Sequence, residues 1–370
     1  MLVEGVLFRK SHHPANERRS KMTRRSSKEA LRIVSAIWVF FIIIGFGSTA
    51  FAQKRLVVAT WGGSWGESLR KYVAAPFEQK YDCKVEFSEG VSGDQVAKVR
   101  AQRMNPQIDV AMVTCDSAAM LAEQKLTVPL TPDKVPNMKN LYSVAIGKDN
   151  SYVAMYAYDF GITWRSDKLN LKLEKWQDLW KNDFQKRFGV PYPTWGGMRF
   201  LLTTAKIFGG SEYNIDPGFV KLAELKPQFG RMFKGDAEHH QLLSSGEIWV
   251  TPIMSPDAMQ LIEKGVPLNF IRPKDGVPAL YDTLNVVKNC PNPDLAFKFV
   301  DWALNEASQK GHSETCFIIP MRKGVQLIPS VAKKLPTVEE LELLLNFDDQ
   351  QVNKMKDQWI ERYNKEVLNF

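Results

Sequence analysis

The chain has 370 residues, 44% hydrophobic and 24% charged, and a formal net charge of +8, which is length enough for two domains. The charge is unevenly placed: residues 1–52 hold nine of the 49 Lys and Arg and three of the 41 Asp and Glu. The remainder keeps 40 basic against 38 acidic residues, a net charge of only +2. No clustered basic stripe survives outside that segment, so nucleic acid is excluded as the expected partner.

Residues 1–52 read as a secretory signal peptide. Basic residues from Arg18 to Arg32 precede an uncharged run from Ile33 to Gln53 with the apolar core IVSAIWVFFIIIGF. Ala50-Phe51-Ala52 then forms an A-x-A cleavage pattern, which predicts cleavage after Ala52 and a periplasmic protein. The competing reading is an uncleaved anchor, because the run is nearly long enough to span a bilayer. Arg24-Arg25 is followed by Ser-Ser instead of the apolar residues of a twin-arginine signal, which favours the general secretion route. Met22 is an alternative start. After export the four cysteines would sit where disulfides can form, and their spacings resemble no zinc site. Cys83 at the start of one strand and Cys115 at the end of a parallel neighbour are too far apart to bond. Cys290 with Cys316 is the expected pair.

From Arg55 onward short apolar runs alternate with amphipathic stretches, the pattern of a largely parallel α/β layout. RLVVA is a predicted strand, followed by TWGGSW and a helix from about Glu67 to Tyr81. KVEFSE, GDQVAKVRAQRM, IDVAMV and SAAMLAEQ continue as strand, helix, strand, helix. The apolar and aromatic segment YVAMYAYDFGITW leads to a second lobe, in which RFGVPY is a strand, TWGG a turn and MRFLLTTAKIF a helix. Asp216-Pro217, Ser255-Pro256 and Asn292-Pro293 each pair a capping residue with a proline at the first helical position. EIWVTPI, PLNFI and YDTLNVV supply further strands, and LAFKFVDWALN a helix with its apolar residues on one face. The tail from Pro336 reads as two amphipathic helices.

The tetrapeptide TWGG occurs twice, at Thr60 to Gly63 and at Thr194 to Gly197. Both copies sit between a strand and a helix, one in each lobe, and ligands of open α/β sheets bind beyond the carboxyl ends of the strands. Glycine lets the backbone approach a ligand, helix N-termini offer free N–H groups, and tryptophan adds an apolar face or a π-face for a cation. The candidate site residues read from these loops are Trp61, Gly62 and Gly63 in the first lobe, and Trp195, Gly196 and Gly197 in the second. Two tight turns with core tryptophans is the plainer alternative.

Four stretches together carry a family resemblance: LVVATWGGSW; DVAMVTCDSAAMLAEQKL; SSGEIWVTPIMSPDAMQLIEKGVPLNFIRPKDG; and YDTLNVVKNCPNPDLAFKFVDWAL. In order and spacing the chain resembles the periplasmic solute-binding proteins of ABC transporters, in their spermidine/putrescine-binding branch. The resemblance implies the type II periplasmic binding protein fold: two α/β lobes joined by crossover strands, closing on a ligand, with C-terminal helices. Lobe 1 would take residues 53–159 and 282–324, lobe 2 residues 160–281, and residues 325–370 would form helices packed on lobe 2. The two TWGG loops would face one another across the cleft. Such a protein is no enzyme and carries no cofactor; it is expected to act as a monomer that delivers a small molecule to membrane permease subunits.

Carried over one residue at a time, the resemblance gives a mixed site. Trp61 matches an aromatic wall, and Asp282 the carboxylate that grips an amine. Phe317 stands where a tyrosine is usual, and Asp116 falls at a polar cleft position. Met254 replaces a stacking tryptophan, while a pair of acidic residues aligns with Gly196 and Arg199. An arginine in place of a carboxylate should repel a polyamine and attract a carboxylate or phosphonate. Tyr156, Tyr158 and Trp164 on the crossover serve either as packing or as ligand contacts. Polyamine binding is the family default, and a small amino-bearing anion such as an amino acid or aminophosphonate is the alternative. A ferric-ion binder or an exported enzyme is a less favoured alternative; the former would want neighbouring tyrosine ligands with little apolar lining, whereas the expected cleft is rich in Trp, Phe and Met. Catalysis has little support: no Ser-His-Asp set or phosphate loop stands out, and adjacent His239 and His240 on a helix should point apart, so no metal site is expected.

Overall fold

The computed structural model describes residues 54–337, 340–341 and 345–369; the signal segment, with its cleavage point, lies outside the described residues. β1 (Lys54–Thr60) runs into α1 (Gly63–Leu69), a π-helical turn (Arg70–Ala74) and α2 (Ala75–Tyr81). Pro76 has no N–H to bond back into the preceding turn, and the wider turn falls just before it. β2 (Cys83–Glu89), α3 (Ser92–Ala101), β3 (Val110–Thr114), α4 (Cys115–Glu123) and a short β4 (Thr127–Val128) follow. β1 pairs in parallel with β2 on one side and β3 on the other, as crossover helices require.

β5 (Val153–Arg165) is shared by both lobes, and all of its residues are buried. A strand covered on both faces has no solvent side to populate with polar residues, which is why YVAMYAYDFGITW is so continuously apolar. Up to Asp159 it pairs antiparallel with β10 (Ala279–Val287) and β11 (Ile319–Pro320). From Phe160 it pairs with β8 (Val250–Met254), and from Ile162 also with β9 (Leu268–Ile271). The second lobe adds β6 (Phe188–Pro191), α5 (Met198–Ile207), α6 (Asp216–Leu225), β7 (Phe229–Phe233), α7 (Asp236–Ser245) and α8 (Ser255–Glu263). The chain returns through β10 to α9 (Pro293–Ala303) and α10 (Glu306–Cys316). The main path of the sheet is β2-β1-β3-β10-β5-β8-β6-β7. Two α/β lobes joined through shared strands are therefore present, as expected.

Three local expectations need correction. Pro293 opens α9, but α6 and α8 begin at Asp216 and Ser255 themselves, so their prolines come second, and none of Asp216, Ser255 and Asn292 caps by its side chain. The long tail helix, α11 (Asp349–Glu366), spans both lobes instead of packing on the second alone. Asn353 donates to the Asp116 carbonyl (2.9 Å) and Lys356 pairs with the Asp116 carboxylate (3.4 Å) on the first lobe. Arg362 pairs with Asp216, and Tyr363 donates to the Pro191 carbonyl (3.3 Å), on the second. The third concerns the cysteines: all four are free and buried. Cys290 packs beside Asp109 at the end of β10, whereas Cys316 ends α10 with its Sγ 3.9 Å from His312 Nδ1. The expected Cys290–Cys316 bridge is absent because each thiol is packed against a different partner.

Candidate binding cleft

The strands β1, β3, β6 and β8 all feed directly into helical segments at their carboxyl ends, the edge at which open α/β sheets bind ligands. At the first TWGG, Gly63 holds φ +61, a left-handed conformation that a side chain would strain. Trp61 is half-buried against the main hydrophobic core, next to Gly62. Trp65 stands in the first turn of α1 and meets the aromatic residues of β5. It stacks on Tyr156 with centroids 5.3 Å apart, and lies 6.0 Å from the ring of Tyr158 and 5.9 Å from that of His312.

The second TWGG lies in a π-type turn, Pro193–Gly197, where a Cβ on Gly197 would come within 2.3 Å of the Pro191 carbonyl oxygen. Gly196 packs beside Phe160 and Met254. Trp195 turns away from the first lobe, onto Phe233 (5.2 Å) and His239 (4.5 Å), and its Nε1 donates to Asp236 (2.7 Å). Across the cleft, the first loop meets α8: Ser64 Oγ donates to Gln260 Oε1 at 3.2 Å. The two TWGG turns thus share a position in their lobes, but the contact between lobes is made with α8.

Asp282 sits at the centre. On β10 it is opposite Thr114 of β3 and Tyr156 of β5, and only 3% exposed. Its Oδ1 accepts from the Tyr158 hydroxyl at 3.3 Å, and Tyr156 also bonds to it. Among the described residues no lysine or arginine pairs with it. Burial pushes its carboxyl up to about 7, against the pull of the two tyrosine hydroxyls. Burial, reinforced by Asp282, holds both tyrosines well above their ordinary range. His312 closes the box: its ring is 5.2 Å from Tyr156, and Nδ1 is 2.8 Å from Ser68 Oγ. Burial lowers it to about 3, so the ring is neutral at physiological pH.

Arg199 stands in the first turn of α5, half-buried. No hydrogen bond or ion pair engages its guanidinium among the described residues; its Cζ is 5.8 Å from the centroid of Phe347. Burial alone would weaken its charge, but Asp349, Cys115 and Asp116 raise it above the ordinary arginine value. Burial likewise works against charge on Asp116, and Lys356 with Arg199 outweighs it, so that carboxyl is lowered. The Tyr158 hydroxyl is within reach of the fields of both Asp282 and Arg199. A buried carboxylate that no described lysine or arginine pairs with, and a guanidinium without a hydrogen bond among the described residues, therefore both act on Tyr158.

Of the other sequence candidates, Met254 ends β8 opposite Phe160. Phe317 packs with Met259 and Val331, under the ammonium of Lys334 at 5.0 Å, and holds φ 55 as the cap of α10. Trp65 and His312 were not among the candidates. The second tryptophan of TWGGSW, at the strand-to-helix junction, is a signal that could have found Trp65. Nothing local marks His312, which arrives from α10. The expectation that His239 and His240 diverge is also overturned. Their ring centroids are 4.4 Å apart, and Asp257 of α8 enters the angle between them, so that donor atoms of all three lie within 4.8 Å of one another.

The sequence pattern of the family described as bacterial extracellular solute-binding protein matches residues 72–339. A γ-aminobutyric acid-binding protein of Pseudomonas aeruginosa is 25% identical over 313 residues, covering 80% of this chain and 85% of its own. A putrescine/cadaverine-binding protein of the same organism is 23% identical over 278 residues, covering 69% and 76%. Among solved structures, an ABC transporter protein of Clostridium perfringens superposes with a TM-score of 0.71 at 23% identity, over 84% of this chain and 99% of its own.

Proposed function

We propose, for a chain that belongs to the family of bacterial extracellular solute-binding proteins, that the solute is a small zwitterion with an amine at one end and a carboxylate or phosphonate at the other. The family role is that of a periplasmic receptor, not an enzyme: it binds a small molecule and hands it to an ABC transporter permease. The observation that supports the finer reading is a buried carboxylate that no described lysine or arginine pairs with, Asp282, hydrogen-bonded to Tyr158, together with a guanidinium, Arg199, whose charge also acts on Tyr158. A buried carboxylate gains most from a ligand ammonium, because burial has removed its water and no protein cation replaces it. The faces of Trp65, Tyr156 and Tyr158 favour the same cation. An arginine fork suits a planar carboxylate or a phosphonate. The relative named for γ-aminobutyric acid agrees with such a ligand.

A diamine is the second reading, favoured by the relative named for putrescine and cadaverine and by Asp116 and Asp349 standing near Arg199. Lys356 already occupies Asp116, and a second ammonium would have to approach Arg199, which disfavours it. A thermal-shift screen of ω-amino acids, aminoalkylphosphonates and diamines of matched length separates the two, since a ligand that binds only the folded state raises Tm. Zwitterions should head the ranking; a ranking headed by diamines would overturn the reading.

A further inference from the structure

The geometry points to a binding site for one divalent transition-metal ion of the zinc type in the second lobe, held by His239, His240 and Asp257. His239 is fully buried on α7, and its Nδ1 lies 3.2 Å from the Gly235 carbonyl oxygen. A ring nitrogen facing a carbonyl oxygen must carry the hydrogen, which leaves the Nε2 lone pair free on the other side. That Nε2 has no hydrogen-bond partner among the described residues, and it points at Asp257 Oδ1 from 4.0 Å, too far for a hydrogen bond. His240 Nε2 reaches the same oxygen at 3.1 Å. Asp257 is itself 4% exposed.

A proton on one ring nitrogen, fixed by a backbone carbonyl, with the other nitrogen aimed into a polar cluster, is the arrangement that orients metal-binding imidazoles. Ligand atoms on a tetrahedral ion at 2.0–2.1 Å stand about 3.4 Å apart. The donor atoms here, within 4.8 Å of one another, need only small ring rotations to meet that spacing. Two imidazoles and one carboxylate select zinc and its neighbours over magnesium or calcium, which prefer oxygen ligands. Three protein donors leave a coordination position open. The ring of Trp195 lies against His239 at 4.5 Å and walls the site, and its Nε1 holds Asp236, whose charge acts on the cluster through Asp257.

The test is titration of the untagged purified protein with Zn2+ in a chelator-buffered series, with Mg2+ as control, repeated on His240→Gln and Asp257→Asn. His240 is only half-buried, so its replacement should leave the fold intact, as a metal-free melting curve would verify. The expected result is one Zn2+ per chain at micromolar or tighter Kd, no competition from equimolar Mg2+, and at least tenfold weaker binding in each variant. Co2+ in place of zinc should give the intense visible absorption of a four-coordinate site, lost in His240→Gln. Absence of stoichiometric uptake would mean that Asp257 and His240 form only a hydrogen-bonded pair, and would overturn the proposal. So would uptake unchanged in both variants, which would belong to another part of the chain.

Discussion

Replacing Asp282 by asparagine should make the unliganded protein more stable at neutral pH, and by an amount that depends on pH in one direction only. The carboxyl rises from an ordinary value of 3.8 to about 7 in the folded chain. Between those values the folded chain holds a proton that the unfolded chain has released. Stability therefore falls as pH rises through this window and levels off above it. At about 1.36 kcal/mol for each pH unit, the ionised carboxyl costs the folded state about 4 kcal/mol at pH 8, and little at pH 4. Asp282 is 3% exposed, so solvent screening takes little from that figure. Asparagine keeps the shape and cannot ionise. The stability difference, variant minus native, should thus grow by about 2 to 4 kcal/mol from pH 4 to pH 8. Urea unfolding of both proteins at several pH values, after stripping of any bound solute, measures it; other titrating groups cancel in the difference. A difference flat to within about 1 kcal/mol would refute the claim that Asp282 is a buried carboxylate awaiting a cation.

Other outcomes follow from the same geometry. Arg199→Ala should weaken zwitterion binding by about 1.5 to 3 kcal/mol, the usual loss for a hydrogen bond to a charged group, as read by calorimetry; unchanged affinity would remove Arg199 from the site. Without reductant, the unfolded protein should show four reactive thiols and the folded protein almost none, since all four cysteines are free and buried; two thiols would signal a bridge. Mass analysis of the periplasmic protein should find Gln53 at its N-terminus, and a mass that retains the apolar run would contradict cleavage after Ala52.

The fold was legible because its signals are local and repeated: alternating strand and helix patterns, one continuously apolar crossover strand, and glycine turns at strand ends. The site was legible only in part. Asp282 and Tyr158 are hydrogen-bonded to one another, and these two and Arg199 each sit on a strand or helix start that the pattern placed. The two tryptophans of the repeated tetrapeptide were harder to read, because a turn fixes the backbone and not the direction of its ring. Trp195 packs on Phe233 and His239 of its own lobe, and Trp65 stacks on Tyr156. His312 and the Asp257 partner of the histidine pair come from helices far along the chain. Such convergence depends on tertiary packing and leaves no spacing to detect. The tail helix misled for a related reason: its buried stripe of Val352, Trp359 and Tyr363 reveals a packed face, but not that the polar residues between them reach the other lobe.

The central claim is that the cleft has an amine end and an anion end. Calorimetric titration tests it most directly, using the best ω-amino acid or aminoalkylphosphonate, the diamine of equal length, and the acid lacking the amine. The account predicts that the zwitterion binds at least tenfold more tightly than either single-charge-type analogue, with the advantage over the diamine vanishing in Arg199→Ala and that over the simple acid vanishing in Asp282→Asn. A diamine that binds the native protein as tightly as every matched zwitterion, or more tightly, would contradict it.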